Sequence, residues 1–176
     1  MEQQTQAYKI FTRIGLNNWH YIDRKVLHLN ESINFFTGHS GSGKSTVIDA
    51  MQIVLYANTD GRGFFNKAAA DDSDRSLIEY LRGMINIGEN NQVSYRRNKN
   101  FSSTIVLEMK HSITGEKECI GVAFDVETAT NEIGRLFFWH KGGMLPGDYR
   151  KEDRTMTTGE LRDYLQKHFE REEYFY

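Results

Sequence analysis

"FFTGHSGSGKSTVIDAMQIVLYA", residues 35–57, sets two patterns end to end. Its middle, GHSGSGKS at 38–45, fits G-x-x-x-x-G-K-[ST] without a mismatch. Glycines in such a loop permit backbone conformations that aim successive N–H groups inward. The helix that follows adds its positive N-terminal end, and together these cradle phosphate. In that chemistry Lys44 reaches the β- and γ-phosphates of ATP and Ser45 places its hydroxyl on Mg²⁺. Gly38, His39, Ser40, Gly41, Ser42, Gly43 and Thr46 supply the rest of the cradle. A chance glycine-rich turn would not explain the apolar run before the loop or the helical pattern after it. From Lys44 onward, Val47, Ile48, Met51, Val54 and Leu55 recur at three and four residues, an amphipathic helix.

Upstream, residues 8–16 alternate and are rich in aromatic and β-branched side chains, a predicted strand. Residues 26–29 make a second strand, 30–32 a turn, and 33–37 a third, more buried strand leading into the loop. The connection 17–25 is too short for the dozen or more residues of a parallel crossover, so the first two strands should pair antiparallel. Downstream, 58–61 ends the helix and 62–74 is a glycine-, alanine- and aspartate-rich loop. A short helix at 76–84 has Ser73 or Asp74 as its cap. Residues 92–97, 103–110, 118–125 and 134–140 are short alternating runs, and 141–148 is a loop holding Pro146, the only proline. Thr157 and Glu160 form a capping box before a final helix with Leu161, Tyr164, Leu165, His168 and Phe169 on its inner face. The fold class is α/β of the mixed α+β kind: one unit, 1–176. It comprises a phosphate-loop core at about 1–60, a variable loop and helix at 61–91, an antiparallel lobe at 92–141, and a closing loop and helix at 142–176.

The 22 basic and 24 acidic side chains nearly cancel, so bulk charge gives no sign of a nucleic-acid partner, although local patches remain open to one. A single cysteine, Cys119, excludes an internal disulfide and fits a reducing compartment. The N-terminus lacks an apolar signal region, and no apolar run reaches the ~20 residues of a membrane span. A cytoplasmic protein without a membrane partner is the expectation.

The class of phosphate-loop protein is decided by the flanks. A guanine-reading N-K-x-D is absent, because Asn66-Lys67 is followed by Ala68 and Ala69. A small metabolite kinase often carries a similar loop, usually on its first strand, whereas two strands precede it here. Asn18-Trp19-His20, then Ile33-Asn34 leading to Gly38, then STVIDAM at 45–51 resemble the N-terminal half of an ABC-type ATPase head of the SMC, SbcC and RecF group. NWHY at 18–21, the loop ending in Asp74-Arg75-Ser76, and LIEYLRG at 77–83 look most like MukB-like and Wadjet-type condensin ATPases. The resemblance implies an ABC-type half-head with an antiparallel β lobe, binding ATP and Mg²⁺. It also implies several partners: the C-terminal half of the same head, a second head in an ATP-sandwiched dimer, DNA and accessory subunits. A role in chromosome organisation and segregation, plasmid defence or DNA repair, close to the bacterial nucleoid, would follow. The reading frame would then continue through a long heptad-rich segment; under the kinase alternative it would stop near Tyr176.

The group's other catalytic parts are a Q-loop glutamine, a signature motif, an hhhhDE acid pair and a switch histidine. They find no counterpart in the chain. Asp125 follows an apolar run, but its companion is Glu127, not an adjacent acid. His20 falls where relatives often carry a polar or basic residue near the phosphates, and an unengaged surface imidazole is the competing reading. Trp19 reads as a core anchor in preference to a base-stacking platform. Arg62 and Arg75 flank the loop after the helix, where SMC relatives place an arginine that senses nucleotide or DNA; each alone reads as an ordinary solvated arginine in preference. Arg96, Arg97 and Lys99, followed by Phe101, form a basic run that would meet a DNA backbone; the competing reading is a solvated hairpin.

Overall fold

The computed structural model describes residues 6–57, 77–87 and 93–176. Expectations placed on 58–76, including the caps at Ser73 and Asp74 and the roles of Arg62 and Arg75, lie outside the described residues.

Strands β1 (Lys9–Trp19) and β2 (Ile22–His28) form a hairpin, closed by a turn at His20 and Tyr21. Helix α1 (Lys44–Tyr56) follows the loop, then α2 (Leu77–Arg82), then a small hairpin of β3 (Met84–Ile87) and β4 (Val93–Tyr95). Three long strands make a meander: β5 (Phe101–His111), β6 (Lys117–Glu127) and β7 (Glu132–Lys141). A two-stranded pair, β8 (Arg150–Lys151) and β9 (Arg154–Thr155), precedes α3 (Thr158–His168), and β10 (Tyr174–Phe175) ends the chain. The main sheet has the order β10-β7-β6-β5-β1-β2, every neighbouring pair antiparallel.

Both faces of this sheet are covered. On one, Ile14, Leu16, Ile105, Leu107, Val122 and Phe124 pack against α1 and α2. On the other, Val106, Ala123, Leu136 and Phe138 pack against α3 and the 142–156 segment. Period-two alternation therefore sends Ile105 and Leu107 one way and Val106 the other, and Ser102 to Met109 are buried without a break. Each large aliphatic side chain taken from water here contributes about 1.5–3 kcal/mol. Helix α2 stops at Gly83, whose φ is +66°. A β-carbon there would stand 2.6 Å from the His20 carbonyl, so both the angle and the space require glycine.

Three expectations are corrected. Residues 33–37 do not form a strand: Ile33 is 64% and Phe35 83% exposed, and only Phe36 reaches the core. A strand needs a neighbour for its N–H and C=O groups. Instead the Asn34 side chain accepts from Asn30 N and donates to Asn30 O, fastening the segment as a loop. Second, the buried face of α1 is Val47, Ala50, Ile53 and Val54 with Thr46 and Asp49, while Ile48 and Leu55 face outward. Third, Val93–Tyr95 leaves the main sheet to pair with Met84–Ile87, a strand the sequence pattern did not show.

Candidate nucleotide site

The glycines of the loop take the conformations that the motif requires: φ is +152° at Gly38, +79° at Gly41 and +92° at Gly43, the residue capping α1. A β-carbon on Gly38 would stand 2.4 Å from Ser42 Oγ, so the loop closes on itself only with glycine there. Ser42 N donates to His39 O at 3.1 Å, and Val47 N to Gly43 O at 3.1 Å begins the helix. Lys44 Nζ donates to Gly38 O (2.6 Å) and His39 O (2.9 Å), with Ser42 Oγ at 3.3 Å. Its ammonium thus already stands inside the ring of the loop. Ser45 occupies the first turn of α1, where a hydroxyl can serve a cation beside bound phosphates. The donor set fits ATP with Mg²⁺: backbone N–H groups, one ammonium and one hydroxyl.

The hairpin end of β1 and β2 flanks this loop, as the sequence led one to expect. Trp19 is fully buried and its Nε1 donates to Thr46 O at 2.8 Å, so it is a core anchor. His20 Nδ1 lies 3.1 Å from Thr46 Oγ1, and the ring packs between Tyr21 (3.8 Å) and Tyr80 (4.9 Å). His20 is 4% exposed, which excludes the unengaged surface imidazole. Trp19 stacks on Tyr80 at 5.0 Å, and the Tyr80 hydroxyl donates to the buried Asp49 carboxylate. Sequence reading missed this last pair. Its signal was present: an aspartate between Thr46 and Ile53 on the inward face of an otherwise apolar helix. Beside the loop, a cavity of about 490 Å³ opens between β2 and the loop, lined by Tyr21, Arg24, Lys25, Ser42 and Thr46 among others.

The basic run divides. Arg96 is exposed and its guanidinium grips the Asp23 carboxylate, with Nε 3.0 Å from Oδ1. That hydrogen bond, with the charges of Arg96 and Arg97, outweighs partial desolvation and holds Asp23 below the usual carboxylate range. Lys99 is exposed. Arg97 is not: its side chain is 9% exposed, and burial pulls its pKa down to about 10, so it remains charged at neutral pH. The expectation that Arg97 meets DNA is corrected, because its donors are committed to carbonyls and to Asp23 inside the fold.

Asp125 is tied into the fold. Its carboxylate accepts from Ser102 Oγ (2.7 Å), Thr158 Oγ1 (2.6 Å) and Thr158 N (3.1 Å), fastening the N-terminus of α3 to the meander. Thr157 accepts from Glu160 N at 3.1 Å as the capping pattern requires, but the Glu160 carboxylate turns to Arg154 instead of closing the box.

The fold and the loop define a mixed α/β phosphate-loop domain resting on an antiparallel sheet. The family described as "P-loop containing region of AAA domain" matches residues 11–72. No curated protein matches the chain. A solved structure from work on ATP-driven dimerization and DNA-stimulated activation of SMC ATPases is similar, with 15% identity and a TM-score of 0.43. The similarity spans 89% of this chain and 78% of that one. Among the described residues no helix is long and apolar enough to cross a membrane.

Proposed function

We propose that this chain is the ATP-binding N-terminal half of an SMC-like, DNA-acting ATPase head. It would become hydrolytic only when a C-terminal half and a second head complete the site. In this reading Lys44 neutralises charge on the β- and γ-phosphates, Ser45 holds Mg²⁺, and the loop N–H groups from Gly41 to Thr46 grip the phosphate oxygens. His20 supports the site from the side through Thr46. The group that positions the attacking water belongs to the missing parts. The short sequence segments at 18–21 and 77–83 favour the MukB-like and Wadjet-type condensin ATPases within the group, and with them a place near the bacterial nucleoid and accessory subunits as partners. A DNA backbone would meet Arg96 and Lys99 on the rim of an open hollow of about 590 Å³.

One observation carries the reading. Helix α1 carries apolar residues on both sides: Ile48 (41% exposed) and Leu55 (47%) face outward, and Ile33 and Phe35 of the lead-in segment are exposed as well. A helix with apolar residues on both its sides suits a place between two layers. The lead-in segment 33–37 likewise has the composition of a strand and lacks the pairing of one. The antiparallel β1–β2 hairpin argues against the metabolite kinase, whose loop strand would lie between parallel strands, each reached through a helix.

Calorimetry with Mg·ATP tests the binding half of the proposal. Binding is expected, and Lys44→Ala should weaken it about 30- to 100-fold, the worth of a charge-assisted bond to phosphate, without lowering the melting temperature. Equal affinities in the two proteins would sink it. Turnover tests the other half: the chain alone should hydrolyse ATP far more slowly than ~1 s⁻¹. A faster rate, lost in Lys44→Ala, would show a complete enzyme.

A further inference from the structure

Arg97 lies outside the phosphate loop and donates five hydrogen bonds. Nη1 donates to His20 O (2.7 Å) and Leu81 O (2.9 Å), and Nη2 to Ile22 O (3.0 Å) and Asp23 Oδ1 (3.1 Å). Nε donates to Asn18 Oδ1 at 3.3 Å, and the guanidinium carbon stands 5.5 Å from the centre of the Phe101 ring. Four of these five acceptors belong to residues 18–23, the β1–β2 turn with the strand ends that flank it, and the fifth is on α2. That turn is unusual. Asn18 and His20 both hold left-handed backbone conformations, with φ of +52° and +51°, on either side of Trp19. Such angles are uncommon outside glycine and persist where surrounding bonds over-determine them. Here the surrounding bonds come from Arg97, from His20 N donating to Tyr80 O at 2.7 Å, and from Asn18 Nδ2 donating to Ser102 O at 2.9 Å. The left-handed pair turns Trp19 and His20 toward α1, where both end on Thr46, the residue next to Ser45.

We infer that Arg97 is a positioning residue for the nucleotide site, acting through the Asn18–His20 turn on Thr46 and so on the first turn of α1. This rests on the nucleotide reading above and deepens it. The guanidinium fork is required because three carbonyls from two stretches of chain, residues 20–22 and α2, converge on it. A lysine keeps the charge but offers one ammonium, which cannot reach all five acceptors. Two consequences follow. In the nucleotide-free chain, changing Arg97 alters the environment of the Trp19 indole N–H. In the nucleotide-bound chain, it weakens the grip on Mg·ATP without any contact between Arg97 and the ligand.

The test uses Arg97→Lys in a Trp139→Phe background, where the single remaining indole N–H resonance is that of Trp19. The expected result is a shifted indole resonance without nucleotide and Mg·ATP affinity about 10-fold weaker, both measured well below the melting transition. Lys44→Ala, in contrast, should lose nucleotide while leaving the nucleotide-free indole resonance in place. A merely structural arginine would lower the melting temperature and leave the affinity of the folded protein unchanged; that outcome, or an unmoved indole resonance, overturns the inference. If the parent chain binds no Mg·ATP, the nucleotide reading fails, and the nucleotide-free indole resonance alone decides whether Arg97 positions Thr46. Should Arg97→Lys fail to fold, Asp23→Asn decides. Removing a carboxylate near the loop would tighten an anionic ligand by charge alone, so weaker binding supports the clasp and equal or tighter binding overturns it.

Discussion

The meander β5–β6–β7 and the phosphate-loop helix α1 are both rich in apolar residues, yet they are covered differently. Every residue of β5 from Ser102 to Met109 is buried, with helices on one face and the 142–156 segment and α3 on the other. Helix α1 has one side in the core, and its other side shows Ile48, Leu55 and Tyr56 to solvent. The same hydrophobic composition is thus saturated in one region and half-used in the other. The lobe's central strand is enclosed on both faces, while the phosphate loop is mounted on a helix with one exposed side.

Mutating the two regions in parallel is the most direct way to break that comparison. Leu107→Ala, in the fully buried strand, should cost about 3–5 kcal/mol in denaturant unfolding, because the removed atoms leave a cavity closed in by neighbours from both helices. A cost below about 1 kcal/mol would mean that the lobe core is loose, and the contrast with α1 would collapse.

Acid titration sharpens the same comparison on the charged side of the lobe. Burial pushes the Glu108 carboxyl up. The hydrogen bonds from Arg13, the Met144 N–H and the Thr12 hydroxyl outweigh it and bring the group from 4.5 to about 2. A carboxylate whose folded pKa is depressed contributes stability that is complete above its unfolded value. That stability is lost as pH falls through the folded value. Unfolding free energy should therefore drop by about 2–3 kcal/mol between pH 5 and pH 2 from this group, and Glu108→Gln should flatten that segment of the curve. An unchanged acid limb in the variant would remove Glu108 from the account. The smallest effect is expected on the spare face: Leu55→Ser should change stability by less than about 0.5 kcal/mol. A loss above about 1 kcal/mol would show that this face is already packed within the chain.

Much of this arrangement was legible in the sequence, for identifiable reasons. The three meander strands fell within one or two residues of their predicted bounds, because regular alternation and turn signals such as Gly115 are local information. The placement of Asn18-Trp19-His20 beside the loop followed from a resemblance, not from periodicity. What failed was non-local. Residues 33–37 carry strand-forming side chains, but a strand also needs a neighbour, and the letters do not say where that neighbour is. Of the α1 residues read as one apolar face, Val47 and Val54 are buried and Ile48 and Leu55 are exposed, because both sides of the helix carry apolar residues and periodicity cannot choose between them. Arg97 was grouped with Arg96 and Lys99 because a clasping arginine and a solvated one are the same letter; only the carbonyls converging on it tell them apart. The Tyr80–Asp49 pair spans 31 residues and has no local trace beyond an acid on an apolar stripe.

The order of the sheet also sets a timetable for making the protein. Strand β1 closes on β5, and Arg13 and Glu108, which join them, are 95 residues apart in the chain. At about 5–20 residues per second, β1 leaves the ribosome roughly 5–20 s before the strand that receives it. The meander, built from neighbouring hairpins, folds quickly once it is made, whereas docking β1 across so long a loop is the late and slow event. During that interval the apolar residues of β1 and α1 have only water or a chaperone for company. Newborn chains halted before residue 111 should therefore bind holdase chaperones tightly and release them as β5 emerges.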